Sequence, residues 1–391
     1  MAKKLSLILT FFVSSLLLSA QSDVSFYGYL KNLGMYYKPV EPVAVSETKT
    51  LDYLMLNQLH NRLNFRYFAT EKLTFALEAR NRIYMGQMIR EFPDYEEMID
   101  NDNGFLDLGT VLISADSWFF HTMLDRAWLD YTSGKWQVRL GRQRINWGTN
   151  LVWNPNDVFN TFSYFDFDYE ERPGTDGIRV QYYTSVTSSA ELVYKIGRNS
   201  NESAIAGMYR FSKFNYDVQF LSGWVGKDYV LGGGWAGNIK GAGFRGEATW
   251  FKPRDKDDET NFETFVASVS GDYTFANSLY LHLGTLFNSY GTTGDAGGRS
   301  FFTPNISAKM LSMGRYQLFS QVSYPLTPLF FVNLSAMLNP CDGSSFIGPD
   351  FSYSLADNWE IMLNGQFFFG RSGTEYGEYG QAIYARVKWA F

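Results

Sequence analysis

The chain has 391 residues, 34 Lys and Arg against 40 Asp and Glu, a formal charge of −6 and an aromatic content of 18%. The acidic balance excludes a basic nucleic-acid binder, the single cysteine, Cys341, excludes an internal disulfide, and the lack of any second apolar run near 18 residues excludes a helical membrane protein. Abundant Phe and Tyr without long apolar runs instead fit a transmembrane β-barrel, where only alternate residues meet lipid.

Taken in chain order, Lys3 and Lys4 precede an apolar stretch, Leu5 to Leu18, and Ser19-Ala20 before Gln21 reads as a cleavage site. Residues 1–20 are therefore expected to be a signal peptide. The apolar stretch is too short to span about 30 Å of hydrocarbon. Residues 21–391 read as one barrel domain, with a formal charge of −8 once Lys3 and Lys4 are gone.

Beyond the signal, period-2 alternation recurs. Leu63, Phe65 and Tyr67 oppose Arg62, Asn64 and Arg66. Leu73, Phe75, Leu77 and Ala79 oppose Thr74, Glu78, Arg80 and Arg82. Such segments fall near 24–33, 58–68, 73–86, 121–132, 135–143, 176–184, 189–196, 204–211, 215–225, 228–237, 241–251, 263–274, 278–290, 315–324, 328–339, 345–354, 358–369 and 380–391. The expected fold is an all-β, antiparallel, up-and-down transmembrane barrel of about 18 strands, with 16 as the alternative where glycines blur residues 231–243. Tight turns such as 70–72, 133–135 and 356–358 alternate with long polar stretches at 34–57, 87–120, 144–175, 252–262 and 291–314. Short turns belong on the periplasmic side of such a barrel and long loops outside. An even strand count then puts both termini in the periplasm, in a protein of the cell outer membrane.

The stretch "IDNDNGFLDLG" at 99–109 hints at a Ca²⁺ loop but lacks the glutamate that closes an EF-hand. It and the acidic tip 254–260 could hold only a loosely bound Ca²⁺, and no other cofactor or metal is expected. The hairpin "RAWLDYTSGKWQVRLGRQRINWG", 126–148, resembles a recurring element of Gram-negative outer-membrane porins and is similar to the phosphate-selective porin and alginate-exporter groupings. That resemblance implies passage of anions or acidic sugars, with Arg139 and Arg142 matching the porin hairpin. "WNPND" departs from the usual proline-phenylalanine loop.

Residues 144–175 carry Trp147, Trp153, Phe159, Phe162, Tyr164, Phe165, Phe167 and Tyr169, too much apolar surface for a loop in water. The loop is expected to fold inward as the pore constriction. Asn154-Pro155-Asn156-Asp157 suggests a short helical turn within it. Asp157, Asp166, Asp168, Glu170 and Glu171 give it an acidic edge. By alternation, Lys31, Arg62, Arg66, Arg80, Arg82, Arg139, Arg179, Arg386 and Lys388 line the facing wall, and Arg142 and Arg144 are placed with them on the solute path. Acidic loop against basic wall makes a transverse field that selects charged solutes. Gln321, Asn333, Ser335, Ser352 and Gln366 are expected to make the other half of the lumen hydrogen-bonding.

"GAGFRG" at 241–246 has dinucleotide-loop spacing but runs into a strand, so its glycines read as turn residues. His60, His121 and His282 are the only histidines, and no serine pairs with one in an evident triad, so an enzyme is not expected. The terminal Phe391 resembles the signal read by the barrel-assembly machinery. The sequence reads as a porin for passive diffusion of small polar or anionic solutes, surrounded by outer-membrane lipid, without nucleic-acid partners, as a monomer or homotrimer. The alternative is a surface polysaccharide assembly or binding barrel with a closed lumen.

Overall fold

Alternation of apolar and polar side chains yields strands with two dissimilar faces, and the computed structural model shows them closing on themselves. It describes residues 23–102, 104–168, 174–297 and 306–391, so the expected signal segment and Glu170 and Glu171 lie outside the described residues. The wall strands, in chain order, begin with Val24–Lys38 (β1), Leu54–Thr70 (β2), Leu73–Met85 (β3), Trp118–Ser133 (β4), Trp136–Gln143 (β5) and Thr175–Tyr183 (β6). Ser189–Lys195 (β7), Ala204–Lys213 (β8), Tyr216–Val225 (β9), Asp228–Ile239 (β10), Ala242–Pro253 (β11) and Thr264–Thr274 (β12) follow. Tyr280–Asn288 (β13), Tyr316–Thr327 (β14), Phe330–Leu338 (β15), Ser345–Ala356 (β16), Trp359–Phe369 (β17) and Gln381–Ala390 (β18) complete the wall.

Each strand pairs antiparallel with its sequence neighbours, and β1 also pairs with β18, Tyr29 sitting opposite both Arg62 and Ala390. The result is a closed barrel of 18 strands, each matching one of the segments expected from alternation; the count of 16 falls. The glycine-blurred stretch is a real hairpin, β10 and β11, turning at Lys240 and Gly241 with φ of 52° and 93°.

Outside the barrel lattice stand elements that alternation missed. A two-stranded flap, Val43–Ser46 with Lys49–Leu51, and two short helices, Gln87–Glu91 (α1) and Tyr95–Ile99 (α2), sit among the long connections. An accessory strand, Gly109–Ala115, pairs only with the upper part of β4, where β5 has already ended. The long stretches at 34–57 and 87–120 are thus partly ordered structure. β1 runs on to Lys38 and β2 begins at Leu54 because their inward Met35, Tyr37 and Leu54 bury against Met88 of α1 and Leu51 of the flap.

One face of each strand is apolar and exposed, as with Phe65, Leu77, Leu140 and Leu231, which suits a hydrocarbon solvent. Aromatic pairs mark the two rims: Tyr67 stacks on Phe75 (6.3 Å between centroids) at the short-turn end, and Tyr36 stacks on Tyr53 (5.6 Å) at the other. Phe391 joins the short-turn end, exchanging backbone hydrogen bonds of 2.9 Å with Gly28. Both ends of the barrel chain therefore lie at the same rim.

Strand β5 depends on Gly141, whose φ of +112° and whose missing Cβ, 2.2 Å from the Ala127 carbonyl, admit no other residue without displacement. Gly141→Val is expected to cost at least about 2 kcal/mol through strain and clash. The check is the fraction of compact, heat-modifiable protein on unheated gels, which should fall sharply.

Candidate functional site

After Gln143 the chain leaves the wall and crosses the lumen. The connection 144–174 is one residue shorter than expected because Thr175 opens β6, and its described part, 144–168, does not hang in water. That part lies along the inner wall, attached strand by strand. The Trp147 indole N–H donates to Glu191 of β7 (2.7 Å), and Gln219 of β9 donates to the Trp147 carbonyl (2.6 Å). Glu247 of β11 accepts from the Thr149 amide, the Thr149 hydroxyl (2.9 Å) and the amides of Asn150 (2.8 Å) and Asn156 (3.0 Å). Ser268 of β12 donates to the Trp153 carbonyl (2.8 Å).

The aromatic part then continues round the barrel. Trp153 and Tyr164 meet Phe319 of β14, Phe165 packs between Phe346 of β16 and Phe368 of β17, and Phe167 meets Tyr384 of β18. Trp147, Val152, Trp153 and Phe159 are all buried in the resulting core. This inward course is what the aromatic density required.

The expected helical turn at 154–157 is corrected. Only a single turn forms, with the Asp157 amide on the Asn154 carbonyl (3.1 Å). The groups a helix would need are held by the wall instead. The Asn156 amide goes to Glu247, the Pro155 carbonyl accepts from Thr249 (2.9 Å), and the Asn156 side chain bridges Thr249 (2.7 Å) and the Gly233 carbonyl (3.0 Å). Gly232 and Gly234 leave room for this, since a Cβ on either would come within about 3 Å of the Asn156 amide group. Asp157 is fully buried beneath the turn.

The hydrogen-bonding half of the lumen also needs correction. Gln321, Ser323 and Asn333 do form a chain there (3.1 and 2.8 Å), and Gln366 holds the Phe165 carbonyl (2.7 Å). At the level of the loop, however, the inward residues are Phe319, Met337, Phe346 and Phe368. The loop covers an apolar wall, and the cavity that remains is bounded by Leu33, His60, Arg80 and Arg82 on β1–β3 and reaches across to Lys195, Asp228 and Phe251.

The side formed by β18 and β1–β4 is cationic. Strand register sets Lys388, Lys31, His60, Arg82 and His121 in one row across β18, β1, β2, β3 and β4. Arg62 and Arg80 form the next row below. The acidic edge of the loop meets them: Asp168 contacts Lys31 (2.8 Å) and Arg386 (3.1 Å). Between loop and wall is a cavity of about 730 Å³, lined by His60, Arg80 and Arg82 on one side and by Phe165 to Asp168 on the other. Asp166 is exposed to it.

Other expected wall residues are committed elsewhere. Arg62 is fully buried and holds Glu78 (2.6 Å), Asp125 (2.8 Å) and Asn64 (2.9 Å). Arg142 touches the cavity, but its guanidinium grips Asp176 (2.7 and 2.8 Å), Asp102 (2.6 Å) and the Leu106 carbonyl (2.5 Å). It ties the β3–β4 connection to β6. Burial raises the Asp102 carboxyl, but hydrogen bonds from Arg142 and from the Leu108 and Gly104 amides outweigh it and hold the group below its ordinary range. Arg139 pairs with Asp130 (2.7 Å) and lies over Trp128, with Arg179 beside it in register, nearer the short-turn rim. Arg66 approaches Glu78 (3.7 Å), Lys388 lies over Tyr29, and Arg144 is half-buried at the start of the loop.

Glu247, Glu191, Gln219 and Thr249, which position the constriction, were not singled out from sequence. The available signal was three consecutive glycines inside a strand, Gly232 to Gly234, which mark close backbone approach. Among the described residues no three His, Cys, Asp or Glu side chains converge as metal ligands.

No family model and no curated protein sequence matches the chain. Solved structures do. OccAB4 of Acinetobacter baumannii superposes with a TM-score of 0.61 at 9% identity, over 95% of this chain and 98% of that one. OccAB3 of the same organism gives 0.59 at 10% identity, covering 94% and 99%. The outer membrane protein OpdK of Pseudomonas aeruginosa gives 0.57 at 6% identity, covering 94% and 99%. At these identities the likeness is one of fold. The phosphate-selective and alginate-exporter groupings suggested by the 126–148 hairpin gain no support from it.

Glu247 is the carboxylate on which the loop's placement turns. Glu247→Ala is expected to weaken loop anchoring by about 2–3 kcal/mol, the loss of charge-assisted hydrogen bonds that leaves buried amides unmet. In single-channel recordings this should appear as raised mean conductance with increased open-channel noise.

Proposed function

We propose that this chain is an outer-membrane channel for passive diffusion of small polar solutes, with a preference for anions such as organic acids or acidic sugars. The observation that carries the reading is the cavity between the cationic rows of β1–β4 and the carboxylates of the inward loop. A narrow wet gap with fixed charges and low-dielectric walls focuses potential on whatever passes. The fold likeness to the outer membrane protein OpdK supports the membrane placement. The solute would pass the loop, then meet Arg80 and Arg82, then Arg139 and Arg179 toward the short-turn rim. Its own gradient drives it. That rim, which holds both barrel termini, would face the periplasm, with Phe391 read by the assembly machinery there.

A second reading, a surface barrel with a closed lumen, is favoured by one observation: the loop spans much of the inner wall and Asp168 bridges it to Lys31 and Arg386. Zero conductance together with glycan retention would support that reading against the channel.

In planar bilayers under a KCl gradient, the reversal potential is expected to report anion preference. Arg80→Gln with Arg82→Gln should lower the anion-to-cation permeability ratio at least about threefold, the scale expected when fixed pore charges are removed. Asp166→Asn should raise it. Cation preference in the unaltered protein would overturn the reading.

A further inference from the structure

The outer face of the barrel is apolar apart from isolated hydroxyls such as Ser222, Thr285 and Ser320, with one exception. Side chains alternate across each strand, so the neighbours of inward Lys31, His60, Arg62, Arg80 and Arg82 point to the lipid side. Those neighbours include Asn32 on β1, Asn61 on β2 and Asn81 on β3, and Asn57, four residues before Asn61 on β2, shares its outward side. Away from the rims, carboxamides occur on the lipid-facing side of the described strands nowhere else. They form two short ladders. Asn32 and Asn57 exchange hydrogen bonds of 2.8 and 3.1 Å. Asn61 donates to the Tyr29 carbonyl (3.2 Å), Asn81 donates to Asn61 (3.2 Å), and Thr122 of β4 donates to Asn81 (2.7 Å).

Their depth decides what can reach them. Asn61 lies between Tyr67 at one aromatic rim and Tyr53 at the other. Six residues of strand rising about 3.3 Å each at a tilt of about 40° place it about 15 Å from the Tyr67 level. That is well inside an apolar band about 25 Å tall. Lipid headgroups and water are both out of reach there. Each amide –NH₂ has two N–H groups and spends one on these ladders, so the sector presents spare donors to hydrocarbon, which lipid tails cannot satisfy.

We propose that this sector, the outer face of β1–β4, packs against a second copy of this chain in the membrane. The inference rests on the membrane placement proposed above. The occupant follows from chemistry. A carboxamide is both donor and acceptor, so a patch of carboxamides complements itself, as a contact between identical chains requires. A partner at this depth must bring polar groups through the membrane, which another barrel of this kind does and a lipid does not. Gly34 and Ala385, opposite each other on the same face between Asn32 and the upper rim, keep the surface low enough for two walls to approach. The exposed Leu112 and Ile113 of the accessory strand continue the sector above β4.

The test is the mass of the full mature chain in mild detergent and in nanodiscs, by light scattering and native mass spectrometry, with insertion scored separately by heat-modifiable mobility. The unaltered protein is expected at two or more copies. Asn61→Leu with Asn81→Leu should release single barrels that stay heat-modifiable. Ser320→Leu with Ala336→Leu, on the opposite outer face, should leave the assembly intact. Asn81→Cys in a Cys341→Ser background should cross-link copies with a short bis-maleimide. A single folded barrel at all protein concentrations, an assembly indifferent to the asparagine changes, or a stoichiometric different protein in place of the second copy would each overturn the proposal. Failure of heat-modifiable insertion in the unaltered chain would overturn the membrane reading instead.

Discussion

Backbone hydrogen bonding that leaves no free edge is the constraint from which this molecule follows. A sheet surrounded by hydrocarbon cannot expose unpaired N–H and C=O groups, and β1 supplies the closing seam by pairing on both sides, with β2 and with β18. Closure with 18 strands encloses a lumen too wide for wall side chains to fill. Something else has to set the width of the path, and the chain provides it at the one place where a wall strand stops early. β5 ends at Gln143, the accessory strand takes over the freed upper edge of β4, and residues 144–168 go inward.

The route of that segment sets the electrostatics. It is laid along β7 to β17, where Glu191, Gln219 and Glu247 anchor it before an apolar stretch at Phe319, Phe346 and Phe368, and by Asp168 it reaches β18 and β1, where inward residues are cationic. Burying Trp153, Tyr164 and Phe165 against Phe319, Phe346 and Phe368 holds the backbone on one side. The carboxylates that follow are thereby delivered to the other side, where Lys31 and Arg386 receive Asp168. Hydrophobic packing thus fixes where the charged gap lies, and ion pairs fix its edge. Several cations expected along the path are consumed in this architecture. Arg62 and Arg142 are buried among carboxylates and shape the wall, while Arg80 and Arg82 line the cavity together with Arg142, Lys195 and Lys309.

Much of this was legible in sequence because one periodicity governs the wall. Every wall strand was foreseen, since a residue such as Phe65 has only two solvents to choose between, and its neighbours Asn64 and Arg66 must take the other. The inward fold of 144–168 was legible for the same reason, from apolar surface with nowhere to go. The helical turn at Asn154 was misread because local capping residues were weighed without the wall, where Glu247, 91 residues beyond Asn156, takes the Asn156 amide and Thr249 takes the Pro155 carbonyl. Strand continuation past the rim to Lys38, and the flap and short helices above it, carry no period-2 signal that separates them from polar loop. The second lumen wall was misjudged because Phe319 and Gln321 share a face, and only the height of the loop decides which of them matters.

Strands β1–β4 are unusual in being polar on both sides. Inside they carry the cationic rows; outside they carry Asn32, Asn57, Asn61, Asn81 and Thr122 on the alternate positions of the same sequence. A barrel wall is held in place by the apolar band it shows to lipid, at about 25 cal/mol for each Å² covered, and amides interrupt that band where the wall is already charged behind. In the membrane placement proposed, this sector is the part of the circumference that hydrocarbon solvates worst. It also bears the fixed charges of the path, whose spacing depends on the wall keeping its curvature. A second protein surface in place of lipid would meet the amide donors and stiffen the wall that presents Arg80 and Arg82 to solute, so outward contact and inward selectivity would share one piece of backbone.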